Sequence, residues 1–265
     1  MLGLANTLVG GAPTQAFVDP SSIASLRLWL KYDTGMSTAS GETSAAGDID
    51  NGDQIITWAD QSGQGNDASN STAADRPKYN NNGATDGSLE WAGRTKWYNL
   101  DSNIAISSNE DFTLVMNVKF NDDAVSSLFG HDSNNFWRRT NASTFRILCS
   151  DTSPQTDFTE GSATIGSSST FGSANYYSVM IVRSNGSTGT LTMYVDNQNN
   201  GDDYDNKTWG SAGADPEAVT ISNIGAAADD ASELKGWVRH VSYYNEALGA
   251  ADRANIFTYL SNIGS

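Results

Sequence analysis

The chain has 265 residues, of which 38% are hydrophobic and 10% are aromatic. This is enough apolar surface for one large core, and β-sandwiches of this length commonly form a single domain. Asp and Glu total 31 against 15 Lys and Arg, which gives a net charge of −16. Because this charge repels phosphate backbones and anionic lipids, we expect neither nucleic acid nor a membrane as a partner. The negative charge keeps the protein surface soluble or, alternatively, serves to bind cations.

Residues 1–18 show neither helical nor strand periodicity and are predicted to form an N-terminal arm. They lack a basic region followed by a long apolar run, so we expect neither a secretion signal nor a membrane anchor. The apolar side chains of the arm are the expected anchors on a neighbouring subunit: Leu2, Leu4, Leu8 and Val9. Residues 19–265 are then predicted to form one domain.

The domain opens with Asp19 and Pro20, which predict a short helical turn. Two-residue alternation of apolar and polar side chains predicts strands at 26–31 and 112–120. Further short strands are predicted between turns rich in Gly, Asn and Ser, at 54–58, 88–91, 126–130, 136–139, 145–149, 177–183, 191–195, 219–224 and 237–244. This pattern is typical of an all-β protein built as a two-sheet antiparallel jelly-roll sandwich.

One helix is predicted near the end of the chain, from about residue 250 to residue 263. Ala254, Phe257, Leu260 and Ile263 fall on one face of it. We expect that face to seal the edge or the base of the sandwich. Cys149 is the single cysteine, so an internal disulfide is excluded, and it is predicted to be a buried thiol in a strand.

Four sequence blocks, at 26–32, 50–68, 111–119 and 236–248, occur in an order that resembles the concanavalin A-like, laminin G-like jelly rolls. The most specific block is Trp58-Ala-Asp-Gln-Ser-Gly-Gln-Gly-Asn-Asp-Ala68. The resemblance covers about residues 25–263 and implies two stacked antiparallel sheets. Roles in carbohydrate binding, adhesion or structural packing are all compatible with it. Family members carry Asp-Gly where this chain has Ala92-Gly93, so no property of that aspartate is carried over.

The acidic composition and the Met-Leu-Gly-Leu start also resemble accessory structural proteins of tailed bacteriophages. Our leading hypothesis is therefore a non-enzymatic structural or adhesive virion protein, which decorates the capsid or belongs to a tail or fibre. It would be assembled in the host cytoplasm and would dock through the arm. The alternative is a carbohydrate-binding module for cell-surface polysaccharide, with Ca²⁺ as an optional ligand and an extracellular or cell-surface location.

Catalysis is the least favoured hypothesis. Glycan hydrolases of this fold carry Glu-x-Asp-x-x-Glu on one strand, because two carboxyl groups must flank the sugar bond, and the sequence has no such run. Its two histidines, His131 and His240, lack the spacing of a zinc site. We predict that the protein is not an enzyme and has no cofactor, apart from the Ca²⁺ considered below.

Exposed aromatic rings beside polar side chains are what a sugar-binding surface needs, since a ring packs on the C–H face of a pyranose while polar groups bond its hydroxyls. The candidate glycan-binding residues are Trp97, Trp137, Arg138, Tyr204 and Trp209. Core packing is the competing interpretation for the three tryptophans. An acidic loop with Asp48, Asp50 and Asp53 is the candidate Ca²⁺ site, and a solvated turn is its alternative.

Overall fold

The computed structural model describes residues 18–81, 87–93, 95–122, 124–141, 144–148, 156–159, 175–184, 190–197, 201–208, 218–227 and 232–263, with 156–159 and 201–208 described for the backbone alone. The predicted arm anchors Leu2, Leu4, Leu8 and Val9 lie outside these residues. Trp209 and Cys149 lie outside them as well, so the predictions made for these positions stay predictions.

The described residues form 17 strands and one α-helix. In chain order the strands are β1 (Leu26–Leu30), β2 (Met36–Thr38), β3 (Ile55–Trp58), β4 (Ala68–Ser69), β5 (Lys78–Asn80), β6 (Ser88–Trp91), β7 (Tyr98–Ile106), β8 (Phe112–Phe120), β9 (Ser126–Asp132), β10 (Asn135–Asn141), β11 (Thr144–Leu148), β12 (Thr156–Thr159), β13 (Tyr177–Ser184), β14 (Thr190–Asn197), β15 (Gly201–Thr208), β16 (Val219–Ile224) and β17 (Gly236–Tyr244). The helix is α1 (Ala250–Asn262).

The strands form two antiparallel sheets, which confirms the predicted all-β jelly-roll sandwich. The first sheet has eight strands in the order β15-β14-β13-β8-β17-β6-β5, with β1 also paired to β17. The second has nine strands in the order β12-β11-β10-β9-β16-β7-β4-β3-β2. Sequence neighbours such as β13 and β14 pair directly, whereas β8 and β17 are brought together from distant parts of the chain.

The core lies between the two sheets, where alternate side chains of each strand point inward. Trp58, Trp91 and Trp137 are its largest apolar members and are at most 1% exposed. Trp137 stacks on Phe129, with ring centroids 5.7 Å apart and ring planes within 2°. Trp91 meets Tyr98 edge to face at 6.0 Å. The Trp137–Phe129 pair joins neighbouring strands of the second sheet, whereas the Trp91–Tyr98 pair spans the two sheets and helps to set the distance between them.

Helix α1 packs on the outer face of the first sheet and not on an edge of the sandwich. Its buried residues form a second core with outward side chains of the sheet, namely Ile256, Phe257, Tyr259 and Leu260 against Trp29, Val115, Met180, Val182 and Tyr244. Ala254, expected on the packed face, is exposed because that face is centred on Ile256 and Leu260. No helix among the described residues is long and apolar enough to cross a membrane.

The predicted turn before β1 is present as a 3-10 turn at Pro20–Ser22. The Asp19 carboxylate accepts a hydrogen bond from the Ser21 backbone N–H at 2.9 Å. This cap satisfies a donor that the turn itself leaves unpaired.

Candidate functional site

The loop between β3 and β4 is organised by one carboxylate, that of Asp60. Its Oδ1 accepts hydrogen bonds from the backbone N–H groups of Trp29 at 2.8 Å and Ser62 at 2.9 Å. Its Oδ2 accepts from the Ser62 hydroxyl at 2.7 Å and from the Asn66 N–H at 3.1 Å. Because hydrogen bonds to a charged acceptor are stronger than neutral ones, Asp60 holds the loop in one shape.

The same loop is tied to β7 of the second sheet. The Asn66 side-chain amide donates to the Ser102 carbonyl at 3.0 Å and accepts from the Ser102 N–H at 2.8 Å. Gly63 and Gly65 have φ values of 83° and 70°, a left-handed backbone that glycine adopts without a steric penalty. The sequence block that carried the family resemblance therefore encodes a rigid loop that closes one end of the sandwich.

A cleft of about 460 Å³ lies beside this loop, where ends of strands from both sheets meet. Its lining comes from β1 and β17 of the first sheet, from β7 of the second sheet, and from the loops before β4 and β8. The lining residues are Arg27, Gln64, Gly65, Asn66, Ser102, Ile104, Ala105, Glu110, Asp111, Tyr243 and Asn245. A volume of this size falls in the range of small-molecule sites.

The floor and the rim of the cleft differ in polarity. Ile104 and Tyr243 are each only 7% exposed and provide apolar surface at the floor. Gln64, Glu110 and Asn245 are exposed at the rim, and Arg27 is half-buried between them. The cleft thus combines a small apolar surface with amide, carboxylate and guanidinium groups.

The phenol of Tyr243 is held in its neutral form. Burial raises its pKa to about 12, and the negative charge of Glu110 contributes to the rise, while the guanidinium groups of Arg183 and Arg27 lower the pKa in part. A neutral phenol both donates and accepts hydrogen bonds. Tyr243 is therefore available as a hydrogen-bond donor at the floor of the cleft.

Glu110 is positioned by a buried arginine from β13. Arg183 Nε donates to the Glu110 carbonyl at 2.7 Å, and Arg183 Nη2 donates to the Ser107 carbonyl at 2.5 Å. The Glu110 carboxylate in turn accepts from the Ser107 N–H at 2.7 Å. The Arg183 guanidinium also lies 4.8 Å from the ring centre of Phe112. These contacts fix the turn between β7 and β8, and with it the acidic side of the cleft.

The cleft is not where the sequence placed the glycan-binding residues. Trp97 is half-buried beside the 3-10 turn at Ala73–Asp75, and its backbone N–H donates to the Asp75 carbonyl. Trp137 is wholly in the core between Phe129 and Phe145, so its ring offers no surface to a sugar, which corrects that prediction.

Arg138 lies away from the cleft, and the side chain of Tyr204 is outside the described part of the structure. The Arg138 guanidinium lies 3.9 Å above the Phe136 ring, outside the cleft lining. Tyr204 belongs to β15, of which the backbone alone is described. A glycan-binding role for Tyr204 or Trp209 stays a prediction.

The predicted Ca²⁺ ligands are not brought together. The Asp48 carboxylate accepts from the Thr43 N–H at 2.8 Å, and the Asp53 carboxylate accepts from the Asp50 N–H at 2.7 Å. These carboxylates therefore close turns of the loop. In the part of the chain that the structure describes, no group of three or more His, Cys, Asp or Glu side chains is placed to hold a metal ion.

Sequence reasoning missed Arg27, Tyr243 and Glu110 because each stands in a segment that predicts only a strand or a turn. They meet because β1 pairs with β17, and β17 pairs with β8, in antiparallel register. The signal that could have found them is position: each lies within two residues of a strand end on the same side of the sandwich as the Asp60 loop.

Comparison with solved structures supports the fold. The binding domain of Paraclostridial Mosquitocidal Protein 1 is similar with a TM-score of 0.56 and 11% identity over 88% of this chain and 52% of that chain. An arabinofuranosidase complexed with arabinofuranosyl-alpha-1,2-xylobiose is similar with a TM-score of 0.53 and 10% identity over 90% of this chain and 59% of that chain. Trypanosoma rangeli sialidase in complex with sialic acid is similar with a TM-score of 0.50 and 16% identity over 91% of this chain and 34% of that chain.

The chain spans about half of the binding domain that it resembles, 59% of the arabinofuranosidase chain and 34% of the sialidase chain. No protein-family profile matches the sequence, and no curated protein matches it in sequence. At these levels of identity the likeness establishes a shared β-sandwich fold, which both binding domains and enzymes use.

Proposed function

We propose that this chain is a carbohydrate-recognition module that binds a glycan in the cleft between the Asp60 loop and β7. The observation that carries the proposal is the lining of the cleft, which places amide, carboxylate, guanidinium and phenol groups around a small apolar floor. A glycan presents the complementary surface, since it has many hydroxyl groups and small C–H patches.

The individual groups fit hydroxyl recognition. Gln64 and Asn245 each offer a donor and an acceptor, Glu110 offers an acceptor, and Arg27 offers donors. Ile104 and Tyr243 provide the apolar contact for the C–H face of a sugar ring. Because the Asp60 hydrogen bonds fix the loop before any ligand arrives, binding costs little ordering of the backbone.

The similar structures give further support. Two of them, the arabinofuranosidase and the sialidase, are described as complexes with sugars. They are also enzymes, so the fold alone does not decide between binding and hydrolysis. We propose binding, because the chain lacks the strand-borne carboxylate pattern of glycan hydrolases of this fold.

The hypothesis of a bacteriophage virion protein concerns where such a module would act. It depends on docking through residues 1–18, which apart from Val18 lie outside the described residues. Both locations, on a virion or at a cell surface, stay predictions, and either would present the cleft to glycans outside the cell.

The experiment is a glycan array probed with the purified full chain, with and without Ca²⁺. It is repeated with a double variant, Gln64→Ala with Asn245→Ala, which removes two exposed rim amides. The matched control is Asn99→Ala, an exposed amide on β7 outside the cleft. We expect a defined set of glycans to bind the native chain and the control, and to be lost in the double variant. Silence of the array, or equal binding by the double variant, would overturn the proposal.

Hydrolysis is tested on the same glycans. Each glycan that binds is incubated with the chain, and released reducing ends are measured. We expect no release. Turnover that disappears in a Glu110→Gln variant would replace the binding proposal with an enzymatic one.

A further inference from the structure

The outer face of the first sheet carries a second polar surface beyond the area that α1 covers. We call it the cationic aromatic patch and define it as Tyr32, Lys119, Tyr176, Trp237 and Arg239, of which Tyr176 and Arg239 are buried and the other three are half-buried. Lys119 lies on β8, Trp237 and Arg239 lie on β17, and the two tyrosines stand just after β1 and just before β13.

Contacts between cations and aromatic rings join these residues into one cluster. The Lys119 ammonium lies 5.1 Å from the ring centre of Trp237 and 5.7 Å from that of Tyr176. The Arg239 guanidinium lies 3.7 Å from the ring centre of Tyr176 and 5.8 Å from that of Tyr32. Two cations are thus held against three rings, which keeps their positive charges at fixed places.

Among the described residues, no acid forms an ion pair with Lys119. No carboxylate oxygen in that part of the chain lies within 4.0 Å of its ammonium group. Lys235, by contrast, pairs with Asp122 at 3.1 Å. Lys119 is half-buried and open to solvent, so an anion can approach it.

The patch continues as a row across four adjacent strands. The register places Lys119 opposite Trp237, Trp237 opposite Glu90, and Glu90 opposite Lys78. Paired residues in a sheet point to the same face, and strands lie about 4.8 Å apart, so the row is roughly 14 Å long. All four side chains are half-buried. This row has the length and shape to contact several units of an extended chain molecule.

We propose that the cationic aromatic patch binds a carboxylate-bearing polysaccharide. The Trp237 side chain contacts the C–H faces of the sugar units, while Lys119 and Lys78 pair with their carboxylates. The two lysines of the row lie on either side of Glu90, and Arg239 adds a further cation, so positive charges exceed negative charges there. The cleft lining carries Glu110 and Asp111 beside Arg27, and its negative balance disfavours such a ligand. The patch is therefore a second site with a different ligand class, and it does not depend on the cleft being a glycan site.

The test is titration calorimetry of the full chain with a galacturonic acid hexamer. A neutral galactose hexamer and a hexamer of glutamate serve as comparison probes. We expect the galacturonate probe to bind, the neutral sugar to bind at least tenfold more weakly, and added salt to weaken binding. The glutamate peptide carries the charge without the sugar rings, so it should also bind much more weakly.

Lys119→Gln removes the central charge and should weaken galacturonate binding about tenfold. Trp237→Leu, which retains apolar bulk, should weaken it by a similar factor. The matched control is Lys96→Gln, which removes a positive charge next to the 3-10 turn at Ala73–Asp75, away from the patch. The cleft double variant, Gln64→Ala with Asn245→Ala, should bind the probe as the native chain does.

The results separate the two sites. Absence of galacturonate binding, or equal weakening by Lys96→Gln and Lys119→Gln, would overturn the patch proposal and leave the cleft untouched. Equal affinity for the glutamate peptide would overturn the assignment to a polysaccharide. Loss of galacturonate binding in the cleft double variant would move the site to the cleft and overturn the patch proposal as well.

Discussion

The cleft lies where strand ends of the two sheets meet, whereas the cationic aromatic patch lies on the outer surface of the first sheet. The shape of the cleft depends on hydrogen bonds to the single carboxylate of Asp60, and its rim is mainly amide and acid. The patch depends on strand register and on cations held against rings. A substitution that disrupts the Asp60 loop should therefore abolish binding at the cleft and leave the cationic aromatic patch intact.

The two regions share the core between the sheets, so a core substitution should affect both alike. Trp137→Ala removes a side chain that is 1% exposed and stacked on Phe129. We expect a loss of about 4 kcal/mol in the free energy of unfolding, measured by urea denaturation. Trp97→Ala, at a half-buried site, should cost much less. If Trp137→Ala instead left stability intact and abolished glycan binding, the core assignment of this ring would be wrong.

Asp60→Ala should abolish binding at the cleft and leave binding at the cationic aromatic patch unchanged. The substitution leaves the N–H groups of Trp29, Ser62 and Asn66 without their acceptor. We expect a loss of about 3 kcal/mol in stability, loss of glycan binding in the cleft, and unchanged galacturonate binding at the patch. The control is Asp101→Ala, an exposed aspartate on β7. Retained cleft binding in Asp60→Ala would show that the loop is not needed for the site.

The free energy of unfolding should fall at acidic pH because of His240, which lies on the side of the first sheet that α1 covers. Burial lowers the pKa of His240 to about 3 from an ordinary value of 6.5, so between these values the unfolded chain binds a proton that the folded chain does not. Stability is therefore lost as pH falls below about 6.5, by roughly 2 kcal/mol at pH 5. Because other groups titrate too, the measured quantity is the difference between the native chain and His240→Gln in urea denaturation at pH 7 and pH 5.

The control for this experiment is the other histidine. The variant His131→Gln replaces a half-buried imidazole whose Nδ1 lies 2.9 Å from the Ser222 hydroxyl oxygen. If the native chain and His240→Gln lost the same stability between pH 7 and pH 5, the neutral buried state of His240 would be refuted.

The smallest expected effect is that of the phenol group at the floor of the cleft. Tyr243→Phe removes one hydrogen-bond donor and keeps the ring, so binding of a cleft glycan should weaken about fivefold with little change in stability. Tyr79→Phe is the control, because its phenol donates to Asp33 away from the cleft. Unchanged affinity of Tyr243→Phe, measured by calorimetry, would mean that the phenol does not contact the glycan.

Much of the fold could be predicted from the sequence, because β1 and β8 alternate apolar and polar residues and the turns between strands are marked by Gly and Asn. β7 was missed because Asp101, Ser102 and Asn103 interrupt its alternation with exposed polar groups. β15 was missed because its sequence, Gly-Asp-Asp-Tyr-Asp-Asn-Lys-Thr, is typical of a loop, and pairing with β14 makes it a strand. Strand pairing thus overrode local preference in both cases.

The cleft could be predicted only in part. The block from Trp58 to Ala68 carried a resemblance in sequence, but its partners, Ser102 and Trp29, are set by the tertiary fold. The candidate aromatic residues were chosen by their neighbours in sequence, and Trp137 shows why this fails. Trp137 precedes two arginines and was a candidate surface ring with core packing as its alternative, and strand alternation turns it into the core.

The most direct test of the central claim is a backbone amide NMR titration of the full chain with a glycan selected on the array. If the cleft is the binding site, signal shifts will be confined to residues 27, 64–66, 102–105, 110–111 and 243–245. Shifts centred on β10 and β11, or on the cationic aromatic patch, with none at the cleft, would contradict the account.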